Sequence, residues 1–151
     1  MENSNDHLNG KLKHLLSICN DGKEGYRNAS EDVDSTELKS IFNTYSIQRS
    51  EYAMELKTLL RNQGSDPDNS EGGPLGALHR TWMDIKSAIT GKGNEAILSA
   101  CVTGEKSALE AYDDVLNDTN VTPEVRTVLT NHRQGIQEAL QTIESLERQH
   151  S

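Results

Sequence analysis

The sequence predicts an all-α protein, a single four-helix bundle, and three observations carry that prediction. Four long stretches repeat apolar residues at spacings of three and four. Two short polar turns separate them pairwise, with one long connection between the pairs. Aromatic residues are only 4% of the chain and apolar residues 33%, so burial must come from Leu, Ile, Val and Ala in regular rows, which suits helices better than a sandwich. A chain of 151 residues fits one domain, residues 1–151, around one core.

The first helix is expected from about Asp6 to Asp32, with Leu8, Leu12, Leu15, Cys19, Gly22, Tyr26, Ala29 and Val33 on its inner stripe. Asp34, with Glu37 three residues later, has the form of a capping box and opens the second helix. Its inner stripe reads Leu38, Ile41, Tyr45, Arg49, Tyr52, Leu56, Leu59 and Leu60, and Gly64 stops it. The polar segment Ser65 to Pro74 is an exposed connection, followed by a shorter helix with Leu75, Leu78, Trp82, Ile85 and Ile89 on one face and Gly91 to Gly93 at its end. Asn94 caps the third long helix, which turns Ile97, Leu98, Cys101, Glu105, Ala108, Leu109, Tyr112 and Val115 inward. After a turn at Asn117 to Val121, Thr122 as cap and Pro123 at the first helical position begin the fourth, with Val125, Leu129, His132, Ile136, Leu140 and Ile143 inward.

A crossover of about 30 residues, roughly 65–93, can travel the height of a bundle about 40 Å tall at 1.5 Å per residue. The order up-down-down-up with a single crossover and its own short fifth helix, the ferritin-like arrangement, follows.

Counting along the helices places the polar residues of the inner stripes in one region. Arg49 lies about 15 residues from the first turn and Glu105 about 15 from the second, each roughly 22 Å from its end, so the two meet at mid-height. A carboxylate alone in a core is costly, and a guanidinium is the simplest partner for it. The expected centre is therefore a buried Arg49–Glu105 ion pair roofed by Tyr26, Tyr45, Tyr52 and Tyr112, with His132 as a further hydrogen-bond partner. The competing expectation is a di-metal carboxylate site for iron or manganese, using Glu105 and His132. Such a site needs one Glu from each of two helices and Glu-x-x-His from the other two, and the residue three before His132 is Leu129. Glu24, Glu31 and Glu51 sit far from their helices' inner stripes and should face solvent. No catalytic residue and no cofactor is expected.

Other classes are excluded on composition. A net charge of −9, from 24 acidic and 15 basic residues with no basic block, gives no nucleic-acid or anionic-membrane footprint. No apolar run approaches the length of a membrane span, and the start of the chain lacks a secretory pattern, so a cytoplasmic protein is expected. Cys19 and Cys101 read as buried free thiols. Asp66 to Glu71 alternates acids like a calcium loop but lacks its glycine and distal glutamate. On the crossover, Leu75, Leu78, Trp82 and Ile85 are suited to packing its helix against its own bundle, and Leu75, Leu78, His79, Trp82 and Met83 are the alternative, a homodimer contact.

Four segments in this order and spacing, DGKEGYRNASEDV, QRSEYAMEL, GGPLGALHRTWMDIKSAITG and GEKSALEAYDDVL, resemble an uncharacterised bacterial four-helix-bundle family of unknown function in the ferritin-like superfamily. The resemblance runs from about Leu8 to Leu146. It implies a ferritin-like fold and a bacterial, cytoplasmic protein of stress physiology. Against the superfamily's iron-binding pattern, Glu105, Ala108 and Tyr112 resemble the carboxylate helix. Gly22, Gly25 and Ala29 replace its counterpart on the first helix, and Arg49 and Tyr52 stand where Glu-x-x-His belongs. The resemblance thus implies the fold without the ferroxidase or oxidase ligands.

Overall fold

A computed structural model describes residues 4–66 and 93–150. The described residues form four α-helices and no strand: α1 (Ser4–Asp32), α2 (Thr36–Asn62), α3 (Gly93–Leu116) and α4 (Pro123–His150). The crossover helix expected over Leu75 to Ile89, the face with Leu75, Leu78, His79, Trp82 and Met83, and most of the acidic loop from Asp66 lie outside the described residues.

Helix ends follow from local chemistry. The cap of α2 is Ser35 and not Asp34: its backbone is extended (φ −76°, ψ 127°) and its hydroxyl oxygen accepts from the Leu38 amide at 3.2 Å. Serine and aspartate are comparable caps, so the geometry of the three-residue turn decides which one faces the open amides. At the other end Gly64 takes φ 77°, and the Gly64 and Ser65 amides donate back to the carbonyls of Arg61 (3.0 Å) and Leu60 (2.9 Å). This is a glycine-closed helix end. The third helix begins at Gly93, one residue before the expected cap. The Thr122 hydroxyl accepts from the Val125 amide at 3.3 Å and Pro123 opens α4, while Arg126 donates to the last-turn carbonyl of Leu116 at 2.9 Å.

Consecutive helices form two tight pairs, α1 with α2 and α3 with α4. Three contacts fix the sense of α1 against α3: Lys11 with Asp118, Cys19 with Tyr112, and Tyr26 with Glu105, so one helix is read upward as the other is read downward. Lys11 reaches Asp118 at 2.7 Å, a clip between α1 and the α3–α4 turn, and together with the Asn120 amide it holds the Asp118 carboxyl below its usual range. An Arg133–Asp113 pair joins α4 to α3. Pairs such as these, within reach of water, contribute little to stability because solvent and salt screen them.

The core is a continuous file of buried residues, including Leu8, Leu12, Leu15, Leu56, Leu60, Leu98, Leu129, Ile136 and Ile143. On α2 the buried file is Leu38, Phe42, Ser46, Arg49, Ala53, Leu56, Leu59 and Leu60, whereas the expected Ile41, Tyr45 and Tyr52 are half-buried at its border. The reason is the nearness of α1: the Ser46 hydroxyl donates to the Lys23 carbonyl at 2.9 Å, and small residues at 46 and 53 allow that approach. Glu24, Glu31 and Glu51 are exposed. Both cysteines are buried and free. No helix among the described residues is long and apolar enough to cross a membrane.

Candidate functional site

Two hydrogen-bonded networks occupy the middle of the bundle. In the first, Arg49 of α2 and Glu105 of α3 are 1% and 0% exposed. The guanidinium donates from Nη1 to Oε1 at 2.6 Å and from Nη2 to Oε2 at 2.5 Å, a two-pronged geometry that arginine alone provides. The Tyr26 hydroxyl on α1 donates to Oε2 at 2.7 Å, and Arg49 Nε donates to Gln48 Oε1 at 3.2 Å. Arg49 also lies over the Tyr26 ring, 5.6 Å from its centroid. Tyr45 and Phe42 pack against the same ring at 5.4 Å and 5.8 Å.

The electrostatics follow from burial and this pairing. Burial works against the Arg49 charge, but the adjacent carboxylate more than offsets it and the guanidinium is held protonated. Burial, then the Glu105 charge, pushes the Tyr26 hydroxyl well above its ordinary range, so it remains a donor. Burial pushes the Cys19 thiol up to about 11, against the Tyr112 hydrogen bond and Arg49. Cys101 is raised by burial and by Glu105 one helical turn away.

The second network draws one side chain from each helix. Cys19 Sγ of α1 lies 3.3 Å from the Tyr112 hydroxyl of α3, which lies 2.9 Å from His132 Nδ1 of α4. His132 Nε2 is 2.8 Å from Glu55 Oε1 of α2, whose side chain is 51% exposed. A carboxylate can only accept, so Nε2 carries the imidazole proton, Nδ1 accepts from Tyr112, and the Tyr112 oxygen is left to accept from the Cys19 thiol. Burial first, and then Cys19, raises the Tyr112 hydroxyl well above its ordinary range, so it keeps its proton. Tyr52 stacks on the imidazole, centroids 4.0 Å apart and planes 16° from parallel. Gly135 makes room for that ring: a Cβ there would lie 1.9 Å from the Tyr52 hydroxyl oxygen.

The seven expected centre residues therefore divide between two networks. Tyr26 and Tyr45 gather on the Arg49–Glu105 pair, Tyr52 and Tyr112 on His132. Both nitrogens of His132 are taken by Tyr112 and Glu55, so it is not a hydrogen-bond partner of the ion pair. Glu55 is the residue that sequence reasoning missed, because an acidic partner for His132 was sought on its own helix. It sits one turn beyond Tyr52 on α2, at the height of the imidazole, and counting across helices finds it.

These donors do not fit a metal ion. Both Glu105 oxygens accept from Arg49, whose charge lies against them, and among the described residues no group of three or more His, Cys, Asp or Glu side chains is gathered to hold a cation.

His132 sets a pH dependence. It is 0% exposed, and burial lowers its pKa below the ordinary 6.5, with Glu55 opposing the shift only in part. The unfolded chain then binds a proton more readily than the folded one, so stability falls as pH drops from about 6.5 through the lower folded value. Denaturation midpoints between pH 7 and 5 should show this decline, and His132→Gln should flatten it; an unchanged slope in that variant would assign the proton uptake elsewhere.

Comparison with curated proteins finds no match for this chain. The family model described as "Domain of unknown function (DUF2383)" matches residues 8–118, from the first buried leucine of α1 to the aspartate that Lys11 holds, including Arg49, Glu105 and Tyr26. The chain belongs to that family.

Proposed function

We propose that this protein is a non-catalytic, ferritin-like bundle in which an Arg49–Glu105 pair replaces a di-metal centre, and that it acts by binding partners rather than by turning over a substrate. The observation that carries this reading is the engagement of Glu105: its two oxygens accept from both prongs of Arg49 and from Tyr26, three of the roughly four acceptor sites of a carboxylate. The guanidinium neutralises the carboxylate and sets a fixed positive charge against both oxygens, which opposes a cation there.

The ferritin-like order up-down-down-up is supported by the opposed sense of α1 and α3, and by Tyr52 of α2 meeting Gly135 while Glu55 meets His132. The second and third helices then run the same way, which calls for a single crossover over about 65–93, where the sequence places the short fifth helix. For the homodimer reading, the candidate contact residues are those named from the sequence, Leu75, Leu78, His79, Trp82 and Met83. The resemblance read from the sequence adds a bacterial, cytoplasmic, stress-associated setting.

Elemental analysis of protein expressed with iron and manganese and purified without chelator tests the reading. Folded protein without bound metal is the expected result. Near-stoichiometric iron or manganese, lost in Glu105→Ala, would overturn it in favour of a di-metal carboxylate protein using Glu105 and His132.

A further inference from the structure

The series Cys19, Tyr112, His132 and Glu55 runs from a buried thiol on α1, through α3 and α4, to a half-exposed carboxylate on α2. Its outer link has one possible sense, because Nε2 can donate to the Glu55 carboxylate and the carboxylate can only accept. The two inner links are different. A tyrosine hydroxyl and a thiol can each donate or accept, and Nδ1 accepts in the neutral ring but donates in the protonated one. At 2.9 Å between Tyr112 and Nδ1, and 3.3 Å between Tyr112 and Sγ, both senses of each link fit with no heavy atom displaced.

We propose that the inner links form a reversible relay: when His132 takes up a proton in the folded protein, both links reverse, and a charge arriving on α4 is sensed at a thiol on α1. In the neutral state the thiol donates to Tyr112, and Tyr112 donates to Nδ1. The incoming proton goes to Nδ1, since Nε2 already carries one. Nδ1 then donates to the Tyr112 oxygen, and the Tyr112 hydroxyl turns to donate to Sγ. One proton is gained from solvent, Tyr112 and Cys19 keep their own, and three hydrogen bonds stand before and after. The group left without a partner is the Cys19 S–H, the weakest donor of the set. The surroundings of the imidazole are consistent with this. Glu55 favours its charge and Arg49, also on α2, opposes it. Tyr52 of α2 stacks on the ring, and the residues one turn away on α4, Leu129 and Ile136, are apolar. Tyr112 of α3 and Cys19 of α1 are both pushed up by burial, so each holds its hydrogen while His132 titrates.

The test is the infrared S–H stretch of the full chain, recorded from neutral pH down through the titration of His132, with the imidazole followed by NMR in the same samples. Cys101→Ala leaves Cys19 as the one thiol, since the chain has two cysteines. At neutral pH the Cys19 band should lie at the lowered frequency of a hydrogen-bonded thiol. It should rise to that of a free thiol as His132 gains its proton, with the same midpoint. Tyr112→Phe should place the band at the free position throughout and abolish its pH response. A Cys19 band that keeps its frequency while His132 titrates would overturn the relay, and so would a response that survives in Tyr112→Phe. Unfolding before His132 titrates would overturn it too, by showing that the folded bundle does not hold the reversed order. Should Tyr112→Phe not fold, the movement of the Cys19 band in Cys101→Ala decides by itself.

Discussion

Replacing Glu105 by glutamine should lower the unfolding free energy by about 3 kcal/mol. The substitution keeps the shape and one carbonyl oxygen, so Tyr26 can still donate, but it leaves the Arg49 guanidinium charged and 1% exposed with no counter-charge. Proteins of this kind have only about 5–15 kcal/mol in total, so the loss should appear as a fall of roughly 6–12 °C in Tm. Urea denaturation measures it directly, and an unchanged midpoint would mean that water reaches the guanidinium. A matched apolar set, Arg49→Met with Glu105→Met and Tyr26→Phe, removes both charges and the hydroxyl that donates between them. It should recover most of the loss, because well-packed apolar replacements of buried ion pairs are commonly neutral or stabilising.

Truncating Phe42 to alanine should cost about 3–5 kcal/mol. Phe42 is 0% exposed and packs on Tyr26, the residue that holds Glu105 from the α1 side. Its neighbour Ile41 is only half-buried, so Ile41→Ala should cost about 1 kcal/mol, the ordinary value for a substitution outside the core. Comparing the two denaturation midpoints reads out the rotation of α2 about its axis. A larger effect at Ile41 would show the inner face turned toward the Ile41 and Tyr45 side.

That comparison also marks where the sequence ceases to be legible. Helix extents can be read to within about two residues, because Gly64 and Thr122 with Pro123 are chemical stops and starts whose meaning does not depend on neighbours. The inner faces of α1, α3 and α4 are equally plain, since apolar residues recur on either side of the inward Glu105 and His132. On α2 the inward residues include Ser46 and Ala53, which a hydropathy stripe passes over in favour of Tyr45 and Tyr52. Small residues are inward there because α1 is close, which is a property of the pair and not of the helix. At the centre, the heights of Arg49 and Glu105 follow from counting turns along each helix. Which hydroxyl serves Glu105 and which serves His132 does not follow, because Tyr26 and Tyr112 lie on different helices at different heights. The partnership of Glu55 with His132 spans 77 positions and is written in no local pattern.

The bidentate contact has a consequence in time as well. Arg49 and Glu105 lie 56 positions apart on helices of different pairs, whereas α1 with α2 and α3 with α4 close through short turns. Local pairs should form first and dock afterwards, since contacts distant in sequence bear the larger closing entropy. The buried charges would then lose their water late, after the rate-limiting barrier. Glu105→Gln should hasten unfolding while leaving the refolding rate nearly unchanged, making this single contact a brake on the opening of the two halves.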